Sequence, residues 1–78
     1  MSGKQPQPLV TVDARGLMCP EPVFRVRAAV AAMAPGSEVV VLADDPLAEV
    51  DFRLFCERAG HRLVEAADGR FRILVGGD

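Results

Sequence analysis

The sequence predicts an α+β (α/β) two-layer sandwich, with elements in the order β-α-β-α-β-β, a four-stranded mixed sheet and two helices on one face. Three observations carry this reading. Val23, Val26, Val30 and Met33 recur at helical spacing, as do Ala48, Phe52, Phe55, Cys56 and Ala59. Between them the continuous run Val39-Val40-Val41-Leu42-Ala43 reads as a central strand buried on both faces or nearly so. Asp68-Gly69, flanked by two short strand-like segments, is the signature of a two-residue hairpin. With 78 residues, half of them hydrophobic, the chain has material for one domain and one two-layer core.

Each element has its own justification. Residues 1–8, polar and carrying Pro6 and Pro8, read as a flexible tail and not as a signal segment. Leu9-Val10-Thr11-Val12 is a β-branched strand closed by Asp13, and Asp13-Ala14-Arg15-Gly16 turns the chain. Pro20 is expected at the first helical position, where a missing N–H costs nothing, and Pro35-Gly36 stops that helix after Met33. Glu38 to Ala43 is the central strand. Asp44-Asp45-Pro46 admits two readings: Asp45 as helix cap with Pro46 first in the helix, or a type I turn with the helix starting nearer Asp51. Gly60 ends the second helix. Arg62–Ala67 and Phe71–Val75 are the hairpin strands, with Phe71, Ile73 and Val75 on one face. Residues 9–75 form the domain, and 76–78 are expected to fray. If Leu63 or Leu74 lies on the sheet face away from the helices, that face is an apolar docking surface.

Composition narrows the function. A net charge of −2 with dispersed cationic residues gives no electrostatic case for a direct nucleic-acid partner. No apolar run approaches a membrane span. Two cysteines, Cys19 and Cys56, make no disulfide framework, and a cytoplasmic setting with free thiols is the expectation.

Cys19 stands out, enclosed by Gly16-Leu17-Met18 and Pro20-Glu21-Pro22. A cysteine at a helix N-terminus gains thiolate character from the helix dipole, and Arg15 four residues earlier would add to it. Glu21 works the other way, raising the thiol pKa. The competing reading is a small hydrophobe packed in a strand-to-helix corner. A Cys-x-x-Cys redox pair is excluded because position 22 is proline. His61, the single histidine, reads as a packing residue more readily than as a base for Cys19. Cys19, Cys56 and His61 lack the paired spacing of a metal site, and no metal or cofactor is expected. Asp44, Asp45 and Asp51 would suit a cation, although capping explains Asp45 more simply. Cys56 reads as core. A thiol sensor pairing Cys19 with Cys56 requires close approach of their backbones. Sulfane-sulfur transfer remains the role least demanding of other residues, since it needs one accessible nucleophilic thiol.

Asp13-x-x-Gly16-Leu17-x-Cys19-Pro20-x-Pro22 resembles the Cys-Pro-x-Pro signature of the TusA/SirA-like sulfur carriers. Ala43-Asp44-Asp45-Pro46, Asp51, Phe55-Cys56 and Gly60-His61-x-Leu63 resemble that family's second block. The resemblance covers residues 9–75 and implies the same β-α-β-α-β-β sandwich. It implies that Cys19 carries sulfur as a persulfide, that Pro20 and Pro22 are its scaffold, and that Gly16 and Leu17 form the approach. It further implies a cysteine desulfurase or rhodanese as donor, and a DsrE-type or other relay protein as acceptor. The pathways implied are tRNA thiolation, molybdenum-cofactor assembly or sulfur oxidation. The alternatives are a non-catalytic regulatory or interaction domain of the same fold and a YedF-like protein linked to selenium metabolism. Met18 stands where relatives often carry a polar or basic residue.

Overall fold

The computed structural model of the chain describes residues 9–77. The expected tail, residues 1–8, lies outside them, as does Asp78. The apolar run forms β2 (Glu38–Leu42), in which Val39, Val40 and Val41 are all buried. It pairs in parallel with β1 (Leu9–Asp13) and antiparallel with β4 (Arg70–Leu74), which pairs antiparallel with β3 (Arg62–Ala67). The sheet order is β1-β2-β4-β3, a mixed sheet as expected. The Asp68-Gly69 hairpin puts β4 between β2 and β3, with both turn residues at positive φ.

Two helices, α1 (Glu21–Val30) and α2 (Ala48–Ala59), cover one face of this sheet. Register explains the core. Val39 lies opposite Ile73 and Ile73 opposite Leu63, while Val41 lies opposite Phe71 and Phe71 opposite Ala66, so these side chains share the helical face. Val26 and Val30 of α1, and Phe52 and Cys56 of α2, pack onto them. Phe52, fully buried, meets Phe71 edge to face with ring centroids 5.0 Å apart.

Several boundaries depart from the sequence reading. α1 starts at Glu21, one residue later than expected, because Met18 to Glu21 forms a turn closed by Glu21 N–H on the Met18 carbonyl (2.8 Å). The Cys19–Pro20 peptide in this turn is cis. With α1 starting at Glu21, Pro22 occupies the second helical position and is buried. α1 ends at Val30, since Ala32 and Met33 donate to carbonyls three residues back and tighten the last turn. α2 begins at Ala48, so Asp45 is not its cap and Pro46 is not its first residue. Ala48 N–H closes a turn on the Asp45 carbonyl at 3.0 Å, and the helix follows directly instead of waiting for Asp51. Ala59, expected on the buried face of α2, is exposed.

The open face is not the apolar surface that Leu63 or Leu74 would make. Leu63 faces the helices. Leu74 is on the open face but half-buried, beside a charged ladder. Arg72 lies 3.2 Å from Glu38 and 3.6 Å from Glu65, and Arg70 lies 3.7 Å from Glu65. The Arg72–Glu38 contact is an ion pair without hydrogen-bond alignment. Val40, opposite Arg72, is only 5% exposed, consistent with cover from the long side chains around it. Residues 76 and 77 are fastened where fraying was expected: Gly76 N–H donates to His61 Nδ1 (2.9 Å), and Gly77 N–H to the Leu74 carbonyl (3.3 Å).

Candidate functional site

The parallel pairing of β1 with β2 brings the ends of both strands to one edge of the domain, and the loops that follow them meet there. Ala14, fully buried, donates its N–H to the Leu42 carbonyl at 2.7 Å and extends the ladder by one rung. The chain then turns, with Leu17 N–H on the Ala14 carbonyl and Leu17 half-buried against the core. Cys19 emerges exposed from this loop, just ahead of α1.

The loop after β2 grips it. Asp44 accepts the Gly16 N–H on its carboxylate, at 3.0 Å to Oδ1 and 3.2 Å to Oδ2. Asp45 accepts the Cys19 N–H on Oδ2 at 2.6 Å and the Leu47 N–H on Oδ1 at 2.8 Å. Those two backbone donors hold the Asp45 carboxyl below its ordinary pKa, the Leu47 bond contributing most. One side chain thus ties the cysteine loop to the entry of α2. Asp44 and Asp45 satisfy backbone amides, which explains their place in the sequence without a cation. Among the described residues no group of three His, Cys, Asp or Glu is arranged to hold a metal ion.

Beyond Cys19 an open recess of about 270 Å³ lies between the helices. Val23, Phe24 and Arg27 of α1 line one side, and Asp51, Leu54 and Arg58 of α2 the other. Phe24 and Leu54 in its lining are exposed apolar side chains, as are Met18, next to Cys19 in the chain and 76% exposed, and Leu47, whose N–H shares the Asp45 carboxylate with that of Cys19. The electrostatics reverse the expectation of an acidic thiol. Asp51, which lines the recess with Cys19, holds the thiol above its ordinary pKa, chiefly because its carboxylate is a hydrogen-bond acceptor that favours the neutral thiol; partial desolvation and the negative charges of Asp51 and Asp45 push the same way. Arg15 does not offset them. Its guanidinium is committed to Asp13, at 2.9 Å from Nε to Oδ1 and 2.8 Å from Nη2 to Oδ2, which holds the Asp13 carboxyl at about 2. Glu21, expected to be the opposing charge, is not among the groups that shift the thiol.

The other candidates separate from this site. Cys56 is buried in the core at 3% exposure, and desolvation pushes its thiol up to about 11. His61 accepts from Gly76 and lies 5.4 Å from the Phe55 ring, a packing and anchoring role. Neither Cys56 nor His61 lines the Cys19 recess. Sequence reasoning missed Asp44 and Asp45 as clamps on the loop and Asp51 as the partner of the thiol. The signal was present as three aspartates in the second motif block, but its contacts span 26 and 28 residues.

Fold and site together define a class: small α+β sandwiches that present one exposed cysteine at a strand-to-helix loop, beside a cleft between two helices. The chain belongs to the TusA family, described as sulfurtransferase TusA, which residues 10–77 match. A Neisseria meningitidis serogroup A protein, provisionally named a sulfur carrier protein, is 43% identical over 67 residues, covering 83% of this chain and 90% of its own. One from Archaeoglobus fulgidus with the same provisional name is 45% identical over 67 residues, covering 82% and 87%. The crystal structure of a SirA-like protein from Desulfitobacterium hafniense superposes with a TM-score of 0.67 at 29% identity, over 88% of this chain and 99% of that one.

Proposed function

We propose that the chain is a cytoplasmic sulfur carrier whose Cys19 accepts sulfane sulfur as a persulfide and passes it on. The observation that carries this reading is the exposed Cys19 thiol at the mouth of an open recess, on a loop held by Asp44 and Asp45. Family membership and the names of the relatives support it. In the loading step Cys19 Sγ attacks the outer sulfur of a donor persulfide. A new S–S bond forms, the donor's own S–S bond breaks, and the proton lost from Cys19 ends on the donor thiol. Delivery is the same exchange with an acceptor thiol as nucleophile. A cysteine desulfurase or a rhodanese suits the donor role, and a DsrE-type or other relay protein the acceptor role. Exposed Met18, Phe24, Leu47 and Leu54 give such partners apolar surface around the thiol. Acceptors in tRNA thiolation, molybdenum-cofactor assembly and sulfur oxidation fit the same chemistry.

The test is an intact mass after incubation with a desulfurase and cysteine, or with a rhodanese and thiosulfate. Wild type and Cys56→Ser gain sulfur, and Cys19→Ser gains none. Equal gain on Cys19→Ser, or none on wild type, overturns the proposal. A regulatory domain of the same fold would instead keep its cellular phenotype in Cys19→Ser.

A further inference from the structure

Asp51 lies in the first turn of α2, half-exposed, and lines the recess together with Cys19, the one thiol that the recess presents. Sulfur transfer changes the charge at that point. A persulfide is more acidic than its parent thiol, so near neutral pH the empty site is a neutral Cys19–SH and the loaded site a Cys19–S–S⁻ anion. The exchange is donor–S–S⁻ + HS–Cys19 → donor–SH + ⁻S–S–Cys19. Cys19 sulfur is formally oxidised, the donor's inner sulfur is reduced, and no outside oxidant is required. The neutral thiol has a proton to give to a carboxylate. The anion has none, and its negative charge faces the same carboxylate.

Resting on the sulfur-carrier reading of this thiol, we infer that Asp51 biases Cys19 toward releasing sulfur, by accepting the Sγ–H of the empty carrier and repelling the anion of the loaded one. Other charged groups bear on the balance. Asp45 in the loop after β2 repels the anion as well, whereas Arg27 of α1 and Arg58 of α2 line the recess and attract it. Glu21, first in α1, lies outside the recess lining. Asp45 also holds the backbone of Cys19 and Leu47, so substituting it would confound charge with loop geometry. Asp51 is the cleaner position to test.

The experiment equilibrates wild type, Asp51→Asn and Asp51→Glu with a fixed ratio of glutathione persulfide to glutathione near neutral pH. Intact mass reads the loaded-to-empty ratio of Cys19. Asp51→Asn is expected to raise that ratio about three- to ten-fold, the range for one like-charge pair at partly solvated separation. Asp51→Glu should stay near wild type. The gap between wild type and Asp51→Asn should shrink at about 1 M salt, where screening acts over about 3 Å. A purely structural role for Asp51 does not predict that salt response. In parallel, the pH midpoint of iodoacetamide alkylation of Cys19 should move down in Asp51→Asn. Loaded wild type with an unchanged or lower ratio in Asp51→Asn overturns this inference alone. Wild type that alkylates at Cys19 yet takes up no sulfur overturns the carrier reading, and this inference with it.

Discussion

Replacing Gly69 with alanine tests whether the hairpin turn supports the cysteine loop from behind. Gly69 has φ +77°, and a Cβ there would lie 2.9 Å from the Ala43 carbonyl oxygen, closer than such atoms pack. The same two residues are hydrogen-bonded, Ala43 N–H to the Gly69 carbonyl at 2.9 Å. Gly60 is a matched control, with φ +81° and nothing within 4 Å of the point a Cβ would occupy. Alanine in the left-handed region costs about 1–2 kcal/mol, offset by about 0.4–1 kcal/mol from a stiffer unfolded chain. Gly60→Ala should therefore lose about 1 kcal/mol. Gly69→Ala adds a clash with backbone that must move, worth about a further 1–2 kcal/mol on the scale of overpacking. For a domain of this size each kcal/mol lowers Tm by about 4–8 °C. Thermal melts should then show a drop of about 4–8 °C for Gly60→Ala and about 8–24 °C for Gly69→Ala. Ala43 adjoins Asp44 and Asp45, so the alkylation rate of Cys19 should change in Gly69→Ala and not in Gly60→Ala. Equal Tm losses in the two variants would refute the steric argument. A Cys19 rate untouched by a large loss at Gly69 would refute the link to the site.

Four further outcomes can be measured. Cys56 has its folded-state pKa raised to about 11, so its contribution is complete below the ordinary thiol pKa and disappears as pH rises through about 11; base titration should show about 1–2 kcal/mol of stability lost over that window, absent in Cys56→Ala. Asp45 has a lowered folded-state pKa, so its contribution holds above 3.8 and fades as pH falls below it; the drop in Tm between about pH 5 and about pH 3 should be smaller in Asp45→Asn. Phe52→Ala removes a fully buried ring and should cost about 3–5 kcal/mol by denaturant melts, against a total of about 4–12 kcal/mol for a chain of this length. Arg15→Ala should leave the pH profile of Cys19 alkylation unchanged, because Asp13 holds that guanidinium.

The fold was legible because its signals are local. Helical spacing, the apolar run of β2 and Asp68-Gly69 each act over a few residues, and together they specify the element order. Burial of Cys56 followed from the same spacing. The start of α1 is misplaced for a local reason too: Pro20 is compatible with a first helical position, and the sequence alone does not show that a turn precedes the helix. For α2 the turn reading of Asp45-Pro46 holds, and only the helix start, at Ala48 and not nearer Asp51, differs. The site was half legible. Cys19 was conspicuous between its prolines, but its electrostatics were read from sequence neighbours, Arg15 and Glu21. In the folded chain Arg15 turns to Asp13, and the charges that reach the sulfur, Asp51 and Asp45, come from the other side of β2. Charge felt at a side chain depends on distance through space, and local pattern carries little of that.

Under the carrier reading, the placement of Cys19 also decides how donor and acceptor share the molecule. The thiol and the recess, with exposed Phe24 and Leu54 in its lining, lie in the helical layer, while the opposite sheet face carries the Glu38–Arg72–Glu65–Arg70 ladder. Donor and acceptor must each reach the same sulfur through the same opening, so they exclude one another. Each turnover is then a shuttle of two successive encounters and never a three-protein assembly. Its kinetics should be ping-pong, with excess of either partner inhibiting the other, and the relative abundance of the two partners would set the flux.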